Sequence, residues 1–254
     1  MHLTPKQFKV FSELVYQESG INLHDGKLQL LQARLAKRLR HTQIESVDDY
    51  LKCIESDPQE LLNFIDAVST NHTYFFRESH HFDFLQSEYA TIWCAASSSG
   101  EEPYSLAIAC MEKGFRPTIL ATDISLHVLQ TAQRGIYPIE RAKNIPQSIL
   151  KKYFQKGQGK WGRHIRIKPE IQRLVTFKRF NLLTDTVPSQ TYDTIFCRNV
   201  LIYFDNPTKE TVVNKLHGAL KLNGFFIIGG AESLNNIHHK YKYIRPSIYK
   251  RTSA

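Results

Sequence analysis

The strongest constraint on this chain is an alternation that begins near Thr91. The stretches "TIWCAA", "TILATDIS", "LVTFKRFN", "YDTIFCRNV" and "GFFIIGG" are short, apolar and bounded by turn residues, so they predict strands. Between them lie "EPYSLAIACMEKG", "SLHVLQTAQRG" and "PTKETVVNKLHGALKLNG", which predict helices. In the last of these Pro207 opens and Gly224 closes, with Val212, Val213, Leu216 and Leu220 on one face. Strands that are apolar along their whole length need cover on both faces. The alternation therefore predicts an α/β fold, a parallel sheet between two layers of helices. The tail "YKYIRPSIYKRTS" follows the fifth strand with no helix long enough for a crossover, which predicts a final antiparallel strand at the end of the sheet. One segment breaks the rhythm. "QKGQGKWGRHIRIKPEIQRLVTF" carries three glycines and then alternates in "HIRIK", which predicts a small β-hairpin inserted over about 155–177.

The first part of the chain carries no strand signal. "TPKQFKVFSELVYQESG" has a Thr4 cap, Pro5 in the first turn and Gly20 as the stop. "DGKLQLLQARLAKRLR" follows, then "SVDDYLKCIESD" opening on Ser46, and "PQELLNFIDAVS" opening on Pro58. The expected organisation is an all-helical domain over 1–70 and an α/β domain over 71–254.

Composition narrows the function classes. Of 254 residues, 42% are hydrophobic and 11% aromatic, enough for a core and against disorder. No apolar run has the length of a membrane span, and "MHLTPKQF" lacks the apolar core of a signal peptide. Cys53, Cys94, Cys110 and Cys197 show neither CxxC nor metal-ligand spacing and read as buried thiols in a reducing cytoplasm, the expected location. The net charge of +9 suits an acidic partner, whether nucleic acid, membrane surface or protein. An ordinary basic surface would carry the same number.

The turn after "TIWCAA" is unusual. A pyrophosphate-binding turn uses glycines so that bare amides approach the phosphate. This one offers Ser97, Ser98, Ser99 and Gly100, then Glu101 and Glu102. At about 4 Å, with an effective dielectric of about 20, each carboxylate–phosphate pair would cost roughly 4 kcal/mol. A ligand with a cationic centre suits the turn better. S-adenosylmethionine, with a sulfonium, an ammonium and no phosphate, is such a ligand. Ser99-x-x-Glu102 also matches a helix capping box, and glutamates favour a helix's first turn, so on this stretch alone cap and ligand site stand level.

The following strands add to the ligand reading. Asp123, about 20 residues past the turn, is placed to accept from ribose hydroxyls, or to cap the next helix, a role Ser125 could fill alone. Asn181 follows another strand, where an amide can read an adenine edge or simply make a turn. Arg198 and Asn199 end the next. Ligands in open parallel sheets bind outside the carboxyl ends of the strands, and here consecutive strands deliver polar groups to one rim.

At this point the residues resemble a known family. "TNHTYFFRESHHF", "IWCAASSSGEEPYSLAI", "ATDIS", "RGIYP", "FNLL", "FCRNVLIYFD" and "LKLNGFFIIGGAESL" are similar, in order, to motifs of the CheR-type chemotaxis receptor methyltransferases, from about Thr70 to Ser233. The resemblance implies a class I, Rossmann-like methyltransferase sheet behind a small helical domain. It implies methyl transfer from S-adenosylmethionine, leaving S-adenosylhomocysteine, to glutamate side chains on the cytoplasmic helices of methyl-accepting chemotaxis receptors. No metal is expected. Carried over, the family's cofactor contacts fall on Asn71, Thr73, Arg77, Glu102, Asp123, Asn181, Leu182, Arg198 and Asn199. Tyr203 matches a tyrosine that lines the family's methyl-transfer site. The hairpin corresponds to a β-subdomain that in some members grips a peptide at the receptor's carboxyl terminus. Two departures stand out: "GGAESL" lacks a histidine that many relatives carry, and the hairpin is glycine-rich.

Methyl transfer to a carboxylate is an in-line displacement, and an ionised glutamate needs no general base. Arg77 and Tyr203 are the candidate catalytic residues, Arg77 near the cofactor's carboxylate and Tyr203 facing the acceptor. Read without the motifs, Arg77 is a surface ion pair with Glu78 and Tyr203 a core aromatic. His80 and His81 have no spaced partner for a metal and read as packing or surface residues.

The second helix supplies a candidate docking surface. Leu28, Leu31, Leu35 and Leu39 fall within about 80° of arc, and Lys27, Arg34, Lys37, Arg38 and Arg40 occupy the rest with no acid among them. Leu30 sits among the basic residues. The expected partner face is Lys27, Leu30, Arg34, Lys37 and Arg38, docking on an acidic helical bundle; a solvated face is the plain alternative. A nucleic-acid methyltransferase would want aromatics in this patch and a base-binding loop, and neither is present. A non-catalytic cofactor-binding regulator is the third class. The expected partners are receptors, with no nucleic acid, no membrane insertion and a monomeric chain.

Overall fold

The structure is a computed structural model and describes residues 2–87 and 90–252, with the backbone alone at Asp25. Met1, Ser253 and Ala254, the outer limits of the two expected domains, lie outside the described residues.

The helical part contains α1 (Pro5–Ser19), α2 (Leu28–Thr42), α3 (Val47–Ser56) and α4 (Pro58–Val68). Their ends follow the sequence signals. Thr4 forms a capping box with Gln7 and Gly20 closes α1 at φ 75. The side chains of Ser46 and Asp57 cap α3 and α4. Helix α2 begins at Leu28 behind a 3₁₀ turn and has no side-chain cap. Leu31, Leu35 and Leu39 are buried against Phe11, Val15, Tyr50, Ile54 and Phe64, while Leu28 packs at the margin of this core.

The rest contains β1 (Thr91–Cys94), α5 (Glu101–Glu112), β2 (Thr118–Asp123), α6 (Leu126–Arg134), β3 (Ile136–Pro138), α7 (Gln147–Tyr153), β4 (Phe154–Lys156), β5 (His164–Ile167), α8 (Pro169–Gln172), β6 (Val175–Arg179), β7 (Tyr192–Cys197), α9 (Asn206–Ala219), β8 (Leu220–Ile228), β9 (Tyr241–Arg245) and β10 (Ile248–Arg251). Among the described residues the main sheet has seven strands in the order β6-β2-β1-β7-β8-β10-β9. The first five run parallel, and β10 pairs antiparallel with β8. One apolar cluster packs on each face of the sheet, around Ile92 and Phe196 on one side and Trp93 and Ile195 on the other. This is the Rossmann-like architecture with an antiparallel final strand.

Three elements differ from the sequence reading. The tail forms two strands, because the chain turns at Pro246–Ser247, with Ser247 at φ 65; β10 enters beside β8 and β9 takes the edge. Helix α9 ends at Ala219, and "LKLN" joins β8, where Leu220 pairs with Tyr192. The inserted unit is a three-stranded sheet, β3-β5-β4, whose first strand comes from "IYP" upstream, while Val175–Arg179 belongs to the main sheet. A three-residue strand is too short to show an alternation.

The helical part lies over the carboxyl ends of the parallel strands. The Asn22 N–H donates to the Tyr203 carbonyl at 2.8 Å, and the Asn181 side chain donates to the Glu18 carbonyl at 2.7 Å. The Tyr16 hydroxyl donates to Asp205 at 2.9 Å.

Candidate functional site

A cleft opens at the carboxyl ends of β1, β2, β6 and β7. The loop after β1 contributes Ala95, Ala96, Ser98 and then Glu102; the end of β2 contributes Asp123 and Ile124. Phe180, Asn181 and Leu182 follow β6, and Arg198, Asn199 and Tyr203 follow β7. Asn71, Thr73 and Arg77 enter from the segment after α4, and Ser19 and Ile21 from the end of α1. All the residues singled out above as cofactor or catalytic candidates line this one cleft.

The turn after β1 is shaped by contact. Gly100 is at φ 93, and a side chain there would approach Ala132 Cβ to 2.8 Å, so only glycine fits. Ser98, Phe76, Glu78 and Asn199 are non-glycine residues at φ 48, 58, 49 and 59, and all lie on or beside the cleft. Such conformations cost about 1 to 3 kcal/mol each and persist where surrounding bonds enforce them. Here the Ser98 N–H donates to Asp123 Oδ2 at 2.8 Å and the Phe76 N–H to the Ser105 hydroxyl at 2.9 Å.

Arg198 is the electrostatic centre. Its side chain is 1% exposed, and it donates to Glu102 Oε2 at 2.7 Å, to Glu78 Oε2 at 2.9 Å and to the Arg77 carbonyl at 2.7 Å. Burial leaves Glu102 above the usual carboxylate range in spite of this partner. At Glu78, nearer solvent, burial acts upward too, but the bonds from Arg198 and the Gly230 N–H bring it below that range. Asp123 accepts from the Ser98 and Ser125 N–H groups, and burial pushes its pKa up to about 6. Arg77 donates to the His72 carbonyl at 3.0 Å and stands 3.9 Å from Glu78, so it keeps N–H groups free for a ligand. Tyr203 is half-buried, and among the described residues its hydroxyl has no protein partner.

The structure corrects several expectations. Glu101 is no part of the mouth: it is fully buried, accepts from the Ser99 hydroxyl at 2.7 Å and pairs with Arg141 at 2.9 Å. No capping box forms at α5, whose N-cap is Gly100 without a side-chain bond. Asn181 lines the cleft, but both ends of its amide are engaged, the oxygen by the Leu183 N–H at 2.9 Å and the nitrogen by Glu18. Its amide therefore fixes a turn and keeps one N–H unused by these bonds. Leu182 presents an apolar wall beside it. His81 is buried, and burial together with the Arg198 guanidinium pushes its pKa down to about 4, so it is a neutral packing residue. Among the described residues no cluster of potential metal ligands is present.

The basic helix is also redrawn. Arg38 donates from both Nε and Nη2 to Glu60, at 2.9 and 2.5 Å, and the Tyr50 hydroxyl donates to the same carboxylate at 2.6 Å. Arg38 is a clamp between α2 and α4 and is removed from the docking set. Lys37 is exposed and Arg34 half-buried, with the Arg34 Nε unpartnered. Both line a second groove with Ser125, Thr131 and Arg141, and that groove shares Ser69 and Asn71 with the cleft. Lys27 and Leu30 are half-buried and lie outside it.

Sequence reasoning missed Glu78, Glu232 and Arg141. Glu78 lies in the quoted "TNHTYFFRESHHF" and Glu232 in the quoted "GGAESL"; for Arg141 no local signal existed, because its partners Thr73 and Glu101 are distant in the chain.

The geometry agrees with what the chain resembles. Residues 71–249 match the family model described as CheR methyltransferase, SAM binding domain, and residues 6–69 match CheR methyltransferase, all-alpha domain. The chain is 36% identical over 275 residues to the chemotaxis protein methyltransferase of Borreliella burgdorferi, covering 99% of this chain and 96% of that protein. It is 36% identical over 262 residues to the chemotaxis protein methyltransferase 2 of Pseudomonas aeruginosa, with 98% and 94% covered. Over 262 residues it is 36% identical to the chemotaxis protein methyltransferase of Escherichia coli, with 97% and 91% covered.

Proposed function

Because the chain belongs to the CheR methyltransferase family of S-adenosylmethionine-dependent enzymes, we propose that it methylates glutamate side-chain carboxylates on the cytoplasmic helices of chemoreceptors. In this reading the unit over 71–254 binds the cofactor, the helical unit over 1–70 recognises the receptor, and the protein works in the cytoplasm without a metal. The observation that carries it is the charge of the cleft. Glu102 and Asp123 line it against Arg77 and Arg198, and Glu78, outside the lining, pairs with Arg198, so the cleft and its supporting residues together carry one surplus negative charge. S-adenosylmethionine at neutral pH carries a sulfonium, an ammonium and a carboxylate, hence one net positive charge. The fit is complementary in sign.

When bound, the cofactor supplies an electrophilic methyl group. Glu102 would hold its ammonium and Arg77 its carboxylate, by charge-assisted hydrogen bonds. Asp123 would accept from the ribose hydroxyls, while Phe180 and Leu182 enclose the adenine and exclude water. Asn71, Thr73 and Asn199 shape the walls. Tyr203, with an unused hydroxyl, would orient the acceptor carboxylate, which is ionised at neutral pH and needs no base. Labelled methyl transfer to a receptor cytoplasmic fragment tests the whole reading. A product released by mild alkali supports a glutamate ester; a label stable to alkali rejects it.

Two expectations follow for individual residues. Tyr203→Phe should lower kcat about tenfold or more while the Kd for S-adenosylhomocysteine stays unchanged. Turnover equal to wild type at saturating receptor would remove Tyr203 from the acceptor site. The second is a pH effect. Asp123 must be ionised to accept well from two hydroxyls, and its raised pKa means that it gains a proton as pH falls through about 6. Affinity for S-adenosylhomocysteine should therefore drop about fourfold between about pH 7.5 and 5.5. Asp123→Asn should bind more weakly by about 1 to 3 kcal/mol at neutral pH and lose that dependence. Calorimetry showing the same slope in both proteins would assign the titration to another group.

A further inference from the structure

The turn that leaves β7 carries Arg198, Asn199 and Tyr203 in six residues, and it is held from both sides. On one side Glu78 accepts from Arg198 and, at 3.4 Å, from the Asn199 side chain. On the other, Glu232 in the loop after β8 turns its carboxylate back toward the turn. Its Oε2 accepts the Asn199 N–H at 2.8 Å and the Gly229 N–H at 2.6 Å; its Oε1 accepts the Ile202 N–H at 3.3 Å. One charged group thus ties the exits of two neighbouring strands. A charged acceptor makes stronger bonds than a neutral amide would, and Asn199, left-handed at φ 59, needs such a hold. Gly229 is what permits the approach: a Cβ there would lie 2.4 Å from Asn199 Nδ2 and 2.9 Å from Glu232 Oε2. Glu232 does not line the cleft. It faces a separate hollow with Ile202, Asn206 and Lys209.

We propose that Glu232 is a positioning residue for methyl transfer: by gathering the N–H groups of Asn199, Ile202 and Gly229 it fixes the turn that presents Tyr203, without touching cofactor or acceptor. The proposal rests on the reading that Tyr203 faces the acceptor.

Glu232→Gln keeps the size of the side chain but puts a donor where an N–H needs an acceptor. At saturating S-adenosylmethionine and receptor cytoplasmic fragment, its kcat should fall about tenfold or more. The Kd for S-adenosylhomocysteine and the receptor KM should stay within about twofold of wild type, a split that general destabilisation would not give. Amide exchange over residues 199–202 should quicken about tenfold or more, reporting a loosened turn. In a Tyr203→Phe background the same substitution should slow kcat by no more than about threefold, because the group it positions is already lost. Wild-type turnover in Glu232→Gln overturns the proposal, and so does an equal loss in both backgrounds. If Tyr203→Phe alone turns over like wild type, the acceptor role of Tyr203 fails. Positioning of the turn then survives only if Glu232→Gln is still slow with fast exchange. Should Glu232→Gln not fold, Glu232→Asp, which keeps the charge on a shorter arm, carries the same measurements with a smaller expected loss; wild-type kcat there overturns the proposal.

Discussion

Arg198→Met is expected to destabilise the protein by about 3 to 5 kcal/mol, the usual cost of removing one partner from a buried ion pair. The guanidinium is 1% exposed and serves two carboxylates and the Arg77 carbonyl. Methionine fills similar volume but satisfies none of them. Glu102, already raised by burial, would lose the charge that draws it down and would take up a proton at higher pH. For a chain of this size the loss corresponds to a drop of about 10 °C in Tm. Affinity for S-adenosylhomocysteine should fall about tenfold or more, because both Glu102 and the Arg77 backbone lose their anchor. The double variant Arg198→Met with Glu102→Gln separates the two effects. It removes one stranded charge along with its partner, so it should recover part of the stability and none of the binding. A melting temperature within about 2 °C of wild type in the single variant would mean that water or side-chain movement compensates the carboxylates.

The same network shows where sequence reading stops. The sheet was legible because its signal is local: a buried strand must be apolar, and a helix must repeat every turn. The convergence of Asp123, Asn181, Arg198 and Asn199 was legible because strand ends in a parallel sheet share one rim. The partners of those residues were not. Arg198 bonds Glu78, 120 positions away in sequence, and Asn199 bonds Glu232, 33 away; such pairs leave no periodic trace. Residue type alone also left unseen the turn and the Glu18 contact that the Asn181 amide makes, and it misled at Glu101, where the pairing with Arg141 reverses the expected exposure. The short strand β3 escaped for a third reason, since three residues cannot display a period of two.

Helix α2 offers the other large contrast, between arginines that look alike in sequence. Arg38→Met should destabilise the helical part by about 3 kcal/mol or more, because Glu60, 7% exposed, would be left with its charge unpaired. Burial acts to raise Glu60, but the bonds from Arg38, Tyr50 and Asn63 outweigh it, and the net shift is downward. A carboxylate lowered in the fold contributes stability above its unfolded pKa, about 4.3, and loses it as pH falls through the folded value. The difference in stability between Arg38→Met and wild type should therefore be full at neutral pH and narrow in acid. Receptor KM, measured on the fraction that remains folded, should change little. The double reversal Arg34→Glu with Lys37→Glu should do the opposite. Among the described residues these side chains have no acidic partner to strand, so the fold should hold, while the receptor KM should rise about tenfold at low salt if the face meets an acidic bundle. That rise should shrink with added salt, since exposed charges are screened over about 8 Å at physiological ionic strength. Because Arg34 and Lys37 border a groove that shares Ser69 and Asn71 with the cleft, cofactor affinity must be measured alongside. A KM unchanged at low salt would make this a solvated face and move the search for the docking surface to the β3-β5-β4 sheet. A KM and a cofactor Kd that rise together would instead place the groove in the service of the cofactor.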